Sequence, residues 1–458
     1  MLFSPIVERF AQKAPLSMMA RVLLEFALAP DDLDKLFGSA AETQYERKFL
    51  FSSLVDLMTV VVTKIQPSLR AAYLAVADTL PASLSALYEK LAHTEMVTQR
   101  ALALHVFQRL SSVVQALGVA RPEPIAGYRL LLLDGNHLAA TQHRLASLWE
   151  VAEAPLPGQA LVVYQPTLDL IKDLFPCEDG HANERSLLDQ VLATIEPFDL
   201  WVADRNFCTI DFLLGLAKRD AAFVIRHHAG LPILSAGTLR ARSSTETGEV
   251  FEQQVTVGTA DGRQMNLRRI VMRLRSPTRD GDHEIALLSN LPAEHDAASL
   301  ARLYRGRWTI ETMFQKLTEY LAGEIDTMAY PRAALLGFVV ATAAFNVLQT
   351  VLASLRHVHG SEKVDEEVSG YYVANEVRRY HEGQDGLVEE EEWVPFRTMS
   401  VETLVGVLVR WAGQADLRKY PKSTRGPKKP AKERKKEGNS PHTSTAAILL
   451  RQKGKTAP

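Results

Sequence analysis

Tyr128-Arg-Leu-Leu-Leu-Leu-Asp134-Gly-Asn136 is a compact apolar run closed by an acid and two turn-forming residues. It suits a buried strand ending in a loop, because Asp, Gly and Asn favour the conformations that turns need. Working outward, Leu161-Val-Val-Tyr164 is a second strand-like run, and Leu200-Trp-Val-Ala203, leading into Asp204-Arg-Asn-Phe207, is a third. Asn183 to Ile195 and Ile210 to Lys218 have helical spacing, and Ala222-Phe-Val-Ile225 returns to strand. Strands alternating with helices over 125–226 imply an α/β layer structure.

The flanks differ in texture. Residues 1–124 are read as a helical N-terminal domain, with apolar residues recurring at three- and four-residue spacings and Pro67 and Pro81 as punctuation. Leu80 to Leu91 has the form of a turn followed by a short capped helix, as in a DNA-binding helix-turn-helix, but the acids and bases of this region balance. From 227 to 298 the pattern is short β segments separated by Asp261-Gly and Asp280-Gly turns, a β-rich insertion. Helical spacing resumes over 299–358 and 359–417, and 418–458 is read as a basic, disordered tail.

Hydrophobic residues make up 47% of the 458 and charged residues 23%, enough apolar material for a sizeable core. The net charge of −2 hides an asymmetry. Arg418 to Pro458 holds 13 Lys or Arg against two acids, and the remaining chain is correspondingly acidic. A basic tail suits a polyanion, with Lys428, Lys429, Lys432, Arg434, Lys435 and Lys436 as the candidate DNA contacts. The two cysteines, Cys177 and Cys208, argue against a disulfide framework and for a reducing cytoplasm. No secretory leader is legible at the first residues. The apolar run Ala333 to Phe345 is shorter than a membrane span and reads as a buried core helix, so no membrane partner is expected. His227 and His228 lack metal-ligand spacing and read as ordinary strand residues, and Glu389 to Glu392 as a solvated acidic loop.

Asp134 and Asp204 each end an apolar strand-like run, the edge of an α/β sheet where ligands bind. Converging carboxylates can hold hard divalent ions such as Mg²⁺, although a single Asp after a strand is more often a turn or cap. Tyr304-Arg-Gly-Arg307-Trp-Thr-Ile-Glu311 reads as a helix start. At about 100° per residue, Tyr304, Arg307 and Glu311 share a sector of about 60°. The plain reading is an exposed Arg–Glu pair contributing only about 0.3–0.5 kcal/mol. Against it, Trp308, Ile310, Phe314 and Leu317 give the helix a buried side, and charge near a buried surface is costly without a purpose.

These residues together resemble a known family. Tyr304, Arg307 and Glu311 match the Tyr-x2-Arg-x3-Glu-x6-Lys signature of bacterial insertion-sequence transposases, the DDE branch carrying the Tyr-Arg-Glu-Lys motif. Asp134 in Leu-Leu-Leu-Asp-Gly and Asp204 in Ala-Asp-Arg-Asn-Phe resemble its two Asp motifs, and the likeness extends to Arg425-Gly-Pro-Lys-Lys-Pro. The resemblance implies a ribonuclease-H-like core interrupted by the β-rich insertion. It implies that Asp134, Asp204 and Glu311 ligate two Mg²⁺ ions, for which Mn²⁺ can substitute. It also implies that Tyr304 and Arg307 contact the DNA backbone. The partners it implies are double-stranded DNA, as inverted-repeat ends and target, and a second copy of the chain on that DNA. The setting would be a bacterial cytoplasm, at the nucleoid.

Two departures stand out. The family lysine falls at Thr318, which offers at most a weaker hydrogen bond, and Lys316 points about 140° from Glu311 on an ideal helix. No Trp lies between Trp201 and Trp308 to hold a flipped base, as some relatives do during hairpin formation. Competing readings are a standalone Mg²⁺-dependent nuclease and a noncatalytic DNA-binding descendant of a transposase. Glycosidase-like carboxylates are a further alternative, which leaves the basic tail unexplained.

Overall fold

The computed structural model describes residues 3–43, 49–139, 145–149, 154–278, 281–325, 328–423 and 442–455. The chain opens with α1 (Pro5–Lys13), α2 (Pro15–Ala27), α3 (Pro30–Ala40), α4 (Phe51–Val62), α5 (Leu69–Ala75), α6 (Leu84–His93) and α7 (Met96–Ala116). Ser4, Ser68 and Ser83 cap α1, α5 and α6 by accepting hydrogen bonds from first-turn amides.

Then come β1 (Arg129–His137), β2 (Ala154–Leu156), β3 (Gln159–Gln165), β4 (Leu170–Cys177), α8 (Leu188–Leu192), β5 (Asp199–Ala203), α9 (Ile210–Ala217) and β6 (Ala222–Arg226). Strands β4, β3 and β1 pair antiparallel, and β1, β5 and β6 pair parallel, in the order β4-β3-β1-β5-β6. That order and those directions are the ribonuclease-H-like arrangement.

The expected β-rich stretch contains β7 (Ile233–Ala236), β8 (Arg240–Thr245), β9 (Gly248–Gly258), β10 (Gln264–Leu274) and β11 (Glu284–Ser289). It extends the core sheet: β11 pairs antiparallel with β6, and the ladder continues through β10, β9 and β7, with β8 on β9. His227 and His228 follow β6 rather than lying in it; His227 donates from Nε2 to the Leu231 carbonyl at 2.9 Å, an ordinary turn contact.

Helices α10 (Ala297–Arg305), α11 (Trp308–Tyr320), α12 (Pro331–His359), α13 (Ser361–Glu367), α14 (Gly370–Leu387), α15 (Glu390–Arg397) and α16 (Val401–Ala412) follow. Glu389 to Glu392, expected as a loop, instead form the N-cap and first turn of α15, where acids complement the helix dipole. The tail is not irregular throughout. β12 (His442–Ser444) pairs parallel with β2, and α17 (Thr445–Lys455) follows it. Lys428, Lys429, Lys432, Arg434, Lys435 and Lys436 lie outside the described residues.

Side chains alternate across the sheet, so each strand divides between two cores. Leu131 and Leu133 of β1 and Trp201 and Ala203 of β5 pack with α8 and α9 on one face. Leu130 and Leu132, with Leu200 and Val202, pack with the helical bundle on the other. α12 is long and apolar enough to cross a membrane but is buried along its apolar length as the bundle's central helix.

β4 was not anticipated, because Lys172, Asp173 and Pro176 interrupt its apolar pattern. Its polar groups are satisfied from the bundle. Arg100 of α7 holds Asp173 at 2.8 Å, and Asn346 of α12 brackets Ile171, accepting from its N–H at 2.8 Å and donating to its carbonyl at 2.9 Å. The open edge of the sheet is thereby closed by side chains. Replacing Asn346 with Leu strands a buried N–H and a buried C=O. At about 1–3 kcal/mol each, urea unfolding should register a loss of about 2–4 kcal/mol; a loss below about 1 kcal/mol would contradict the capping role.

Candidate active site

Asp134 does not close a loop as its Gly-Asn neighbours suggested. It lies inside β1, which runs on to His137 against β3. The parallel ladder between β1 and β5 stops at Leu133 opposite Ala203. Asp134 and Asp204 are the next residue on each strand, and by alternation both face the bundle, the side on which α11 lies against β1. The strands part there, leaving both carboxylates partly open.

The opposite face holds the turn after Asp204 in place. Glu184 accepts from the Asn206 amide, and Arg185 donates from Nε to the Asn206 carbonyl at 2.7 Å. Glu184 can reach across only because residue 135 is glycine: a Cβ there would lie 1.8 Å from Glu184 Oε1. Sequence reading missed these positioning residues. The only available signal was an acid–base pair at the start of a helical stretch.

Tyr304 to Glu311 is not one continuous helix. α10 ends at Arg305 and α11 begins at Trp308. Gly306 and Arg307 keep helical dihedrals, but the bonds tighten to three-residue spacing, from Arg307 N–H to Tyr304 O and from Ile310 N–H to Arg307 O, both 3.0 Å. The joint preserves the facing of Arg307 and Glu311. Ile310 and Leu317 are buried as expected, whereas Trp308 is 60% exposed beside the site, a correction to the buried side assigned to it.

Arg307 is the centre of the constellation. Its guanidinium donates from Nη1 to Asp134 Oδ2 and from Nη2 to Glu311 Oε1, both at 2.9 Å. Its side chain is only 9% exposed, and its Nε is buried without a partner. Burial works against the Arg307 charge, but Asp134, Tyr304, Asp204 and Glu311 outweigh it and hold the guanidinium firmly protonated. Burial pushes the Asp134 carboxyl up to about 6; Arg307 and the Gly135 amide oppose this, and Glu311 and Asp204 add to it. The Tyr304 phenol is buried beside Arg307 and raised by that burial to about 12, so it stays neutral. Tyr304 and Arg307 thus face the acids rather than an open surface.

Thr318 is exposed, and its hydroxyl donates back to the Phe314 carbonyl at 3.3 Å. Lys316 faces elsewhere: burial would raise Asp169, but Lys316 and Arg356 outweigh it and hold that carboxyl low. A cation does stand at the end of α11. Lys64 donates to the carbonyls of Thr318 and Glu319, each at 3.2 Å, from a residue with φ of 62°. No local pattern reveals a partner so far away in sequence. Among the described residues, no three acid, His or Cys side chains stand grouped to hold a metal, and the Arg307 guanidinium lies between Asp134 and Glu311.

Residues 162–346 match the family described as transposase DDE domain. The matched stretch contains Asp204, Arg307 and Glu311, while Asp134 lies ahead of it. Over 174 residues the chain is 26% identical to "Putative transposase y4zB" of Sinorhizobium fredii strain NBRC 101917 / NGR234, covering 38% of this chain. The chain matches about half of that relative's length, 48%. A solved piggyBac transposase synaptic complex with hairpin DNA aligns over 84% of this chain and 75% of its own, at 10% identity and a TM-score of 0.39.

The raised Asp134 carboxyl gives a pH test on metal-free protein. A carboxyl whose folded pKa lies above its unfolded value contributes stability that is complete below the unfolded value, near 4, and lost as pH rises through about 6. Asp134→Asn removes that penalty. In chelator, its stability relative to wild type should rise by about 1–3 kcal/mol between pH 4 and pH 7, measured by denaturant unfolding. A difference that stays flat across this window would contradict the assignment.

Proposed function

We propose that this protein is a DNA transposase of the Tyr-Arg-Glu-Lys branch that cuts at the ends of an insertion sequence and transfers the 3′ ends to target DNA. The observation that supports this reading is the Arg307 bridge between Asp134 and Glu311, with Asp204 acting on Arg307 through space, within and ahead of a stretch that matches the transposase DDE domain. The Tyr304, Arg307 and Glu311 spacing supports the branch, and Thr318 is where the chain departs from it.

The donor set is all oxygen and carries three negative charges, which suits Mg²⁺ or Mn²⁺. Arg307 already occupies the position of a counter-cation, and its orphaned Nε marks the guanidinium as incompletely satisfied there. On this reading Asp134, Asp204 and Glu311 hold two divalent ions, which when bound supply charge stabilisation for the attacking and leaving oxygens. Arg307, released from Asp134 and Glu311, turns its fork to a DNA phosphate. Tyr304, packed against it and neutral, limits how far the guanidinium can swing. The Glu184, Arg185 and Asn206 contacts fix the backbone that follows Asp204. Thr318 and the tail lysines and arginines extend the DNA contact, and two copies of the chain pair two inverted-repeat ends in a bacterial cytoplasm.

The same Arg307 bridge favours one second reading, a noncatalytic DNA-binding descendant in which the guanidinium never leaves the acids. A cleavage assay separates the two. With DNA carrying the native flanking ends and Mg²⁺, wild type should cut at the element boundary. Asp134→Ala, Asp204→Ala and Glu311→Gln should each lose about a hundredfold or more of the rate, with end binding by Glu311→Gln nearly intact. Binding without cutting by wild type, in Mg²⁺ and in Mn²⁺, would favour the noncatalytic descendant.

A further inference from the structure

A cavity of about 710 Å³ lies between α11 and α12, closed by α13 and the start of α14. Lys316 and Tyr320, one turn apart on α11, form one wall. Gln349, Leu352 and Arg356, at three- and four-residue spacing, form the facing stripe of α12. Gly370 sets the aromatic wall: a Cβ there would lie 2.7 Å from the Tyr320 ring, so only glycine admits that ring position.

One polar group on the α12 stripe is unused. Gln349 is 1% exposed, and its side-chain oxygen is buried without a hydrogen-bond partner. Asn346, three residues earlier on the same helix, shows the ordinary outcome, with both ends of its amide engaged by Ile171. A buried carboxamide left unpaired is costly unless something enters the cavity to meet it.

The charges around the cavity leave a positive surplus. Arg356 is committed to Asp169 at 3.1 Å and to Asp365 at 2.8 Å, and Arg121 adds a second bond to Asp365 at 3.1 Å. Lys316 acts on buried Asp169 through space and makes no hydrogen bond or ion pair among the described residues. Lys422 donates to the Asp365 carbonyl, a neutral group, at 2.7 Å. Lys316 and Lys422 are thus left with a single further acid, Glu366, which is exposed.

The volume falls within the range of small-molecule sites, about 300–1,000 Å³. Lysines recognise phosphate as point charges, and an aromatic ring offers a face to a base. A glutamine carboxamide presents the donor and acceptor pair that matches an adenine edge. We propose that the cavity binds a free nucleoside monophosphate, its phosphate held by Lys316 and Lys422, its base against Tyr320 and the base edge on the Gln349 carboxamide. No residue of the Asp134, Asp204 and Glu311 site lines the cavity, so the inference stands independently of the transposase reading.

The probe is adenosine monophosphate, with adenosine and inorganic phosphate as controls, titrated calorimetrically into the full chain in chelator. Adenosine monophosphate should bind saturably and raise the thermal unfolding midpoint, and each control should bind about tenfold more weakly or worse. Lys316→Gln should weaken binding by about tenfold or more, the loss expected on removing a charged partner. Gln349→Leu removes the unpaired amide at similar volume. It should leave the midpoint of the unliganded chain equal or higher and still weaken binding, whereas a merely structural glutamine would lower that midpoint on replacement. No saturable binding, phosphate binding as tightly as the nucleotide, or nucleotide binding undiminished in both variants would each overturn the proposal. Lys316-dependent binding of short single-stranded DNA in place of the free nucleotide would assign the cavity to a strand and overturn it too.

Discussion

The candidate site is organised by one guanidinium. Arg307 joins Asp134, from a strand near the start of the sheet, to Glu311, from a helix more than 170 residues later. Without a cation between them these partly open carboxylates would repel one another, as Glu311 and Asp204 already push the Asp134 carboxyl up. The bridge is unevenly solvated: the Arg307 side chain is 9% exposed and Glu311 39%, so the cost of burial falls mainly on Arg307 and Asp134. It also makes the site conditional. Arg307 occupies the space between Asp134 and Glu311.

The backbone supplies the convergence by simple rules. Alternation along β1 and β5 puts Asp134 and Asp204 on the bundle face, and the end of the parallel ladder at Leu133 and Ala203 opens the gap above them. From the opposite face, Glu184 and Arg185 hold the Asn206 turn, an approach that only Gly135 permits. The tightened joint at Gly306 and Arg307 then brings the start of α11 down on the acids. Strand, turn and joint are each stabilised by contacts outside the site.

The elements most legible in sequence were those whose pattern is local. β1, β5 and β6 announced themselves as apolar runs, and Asp204 as the residue that ends β5, whereas Asp134 proved to lie inside β1. Arg307 and Glu311 could be paired because helical spacing survives the joint, although the joint itself was invisible: Gly306 keeps ordinary helical dihedrals. What depended on distant partners could not be read. β4 carries a Lys, an Asp and a Pro that look wrong for a strand until Arg100 and Asn346 are placed beside it. The β segments after residue 227 were legible, but not their union with the core sheet, which rests on β11 finding β6. Exposed Trp308, the strand and helix formed by 442–455, and Lys64 at the end of α11 likewise follow from tertiary contacts alone.

The most direct test of the convergence is iron-mediated backbone cleavage of the purified protein. Fe²⁺ loaded in place of Mg²⁺ and treated with ascorbate and peroxide cuts the chain nearest the bound ion. The account predicts cuts in three separated segments, around Asp134, Asp204 and Glu311, all suppressed by excess Mg²⁺. Cuts confined to one of these segments, or insensitive to Mg²⁺, would contradict a shared metal site and leave Arg307 as the permanent partner of the acids.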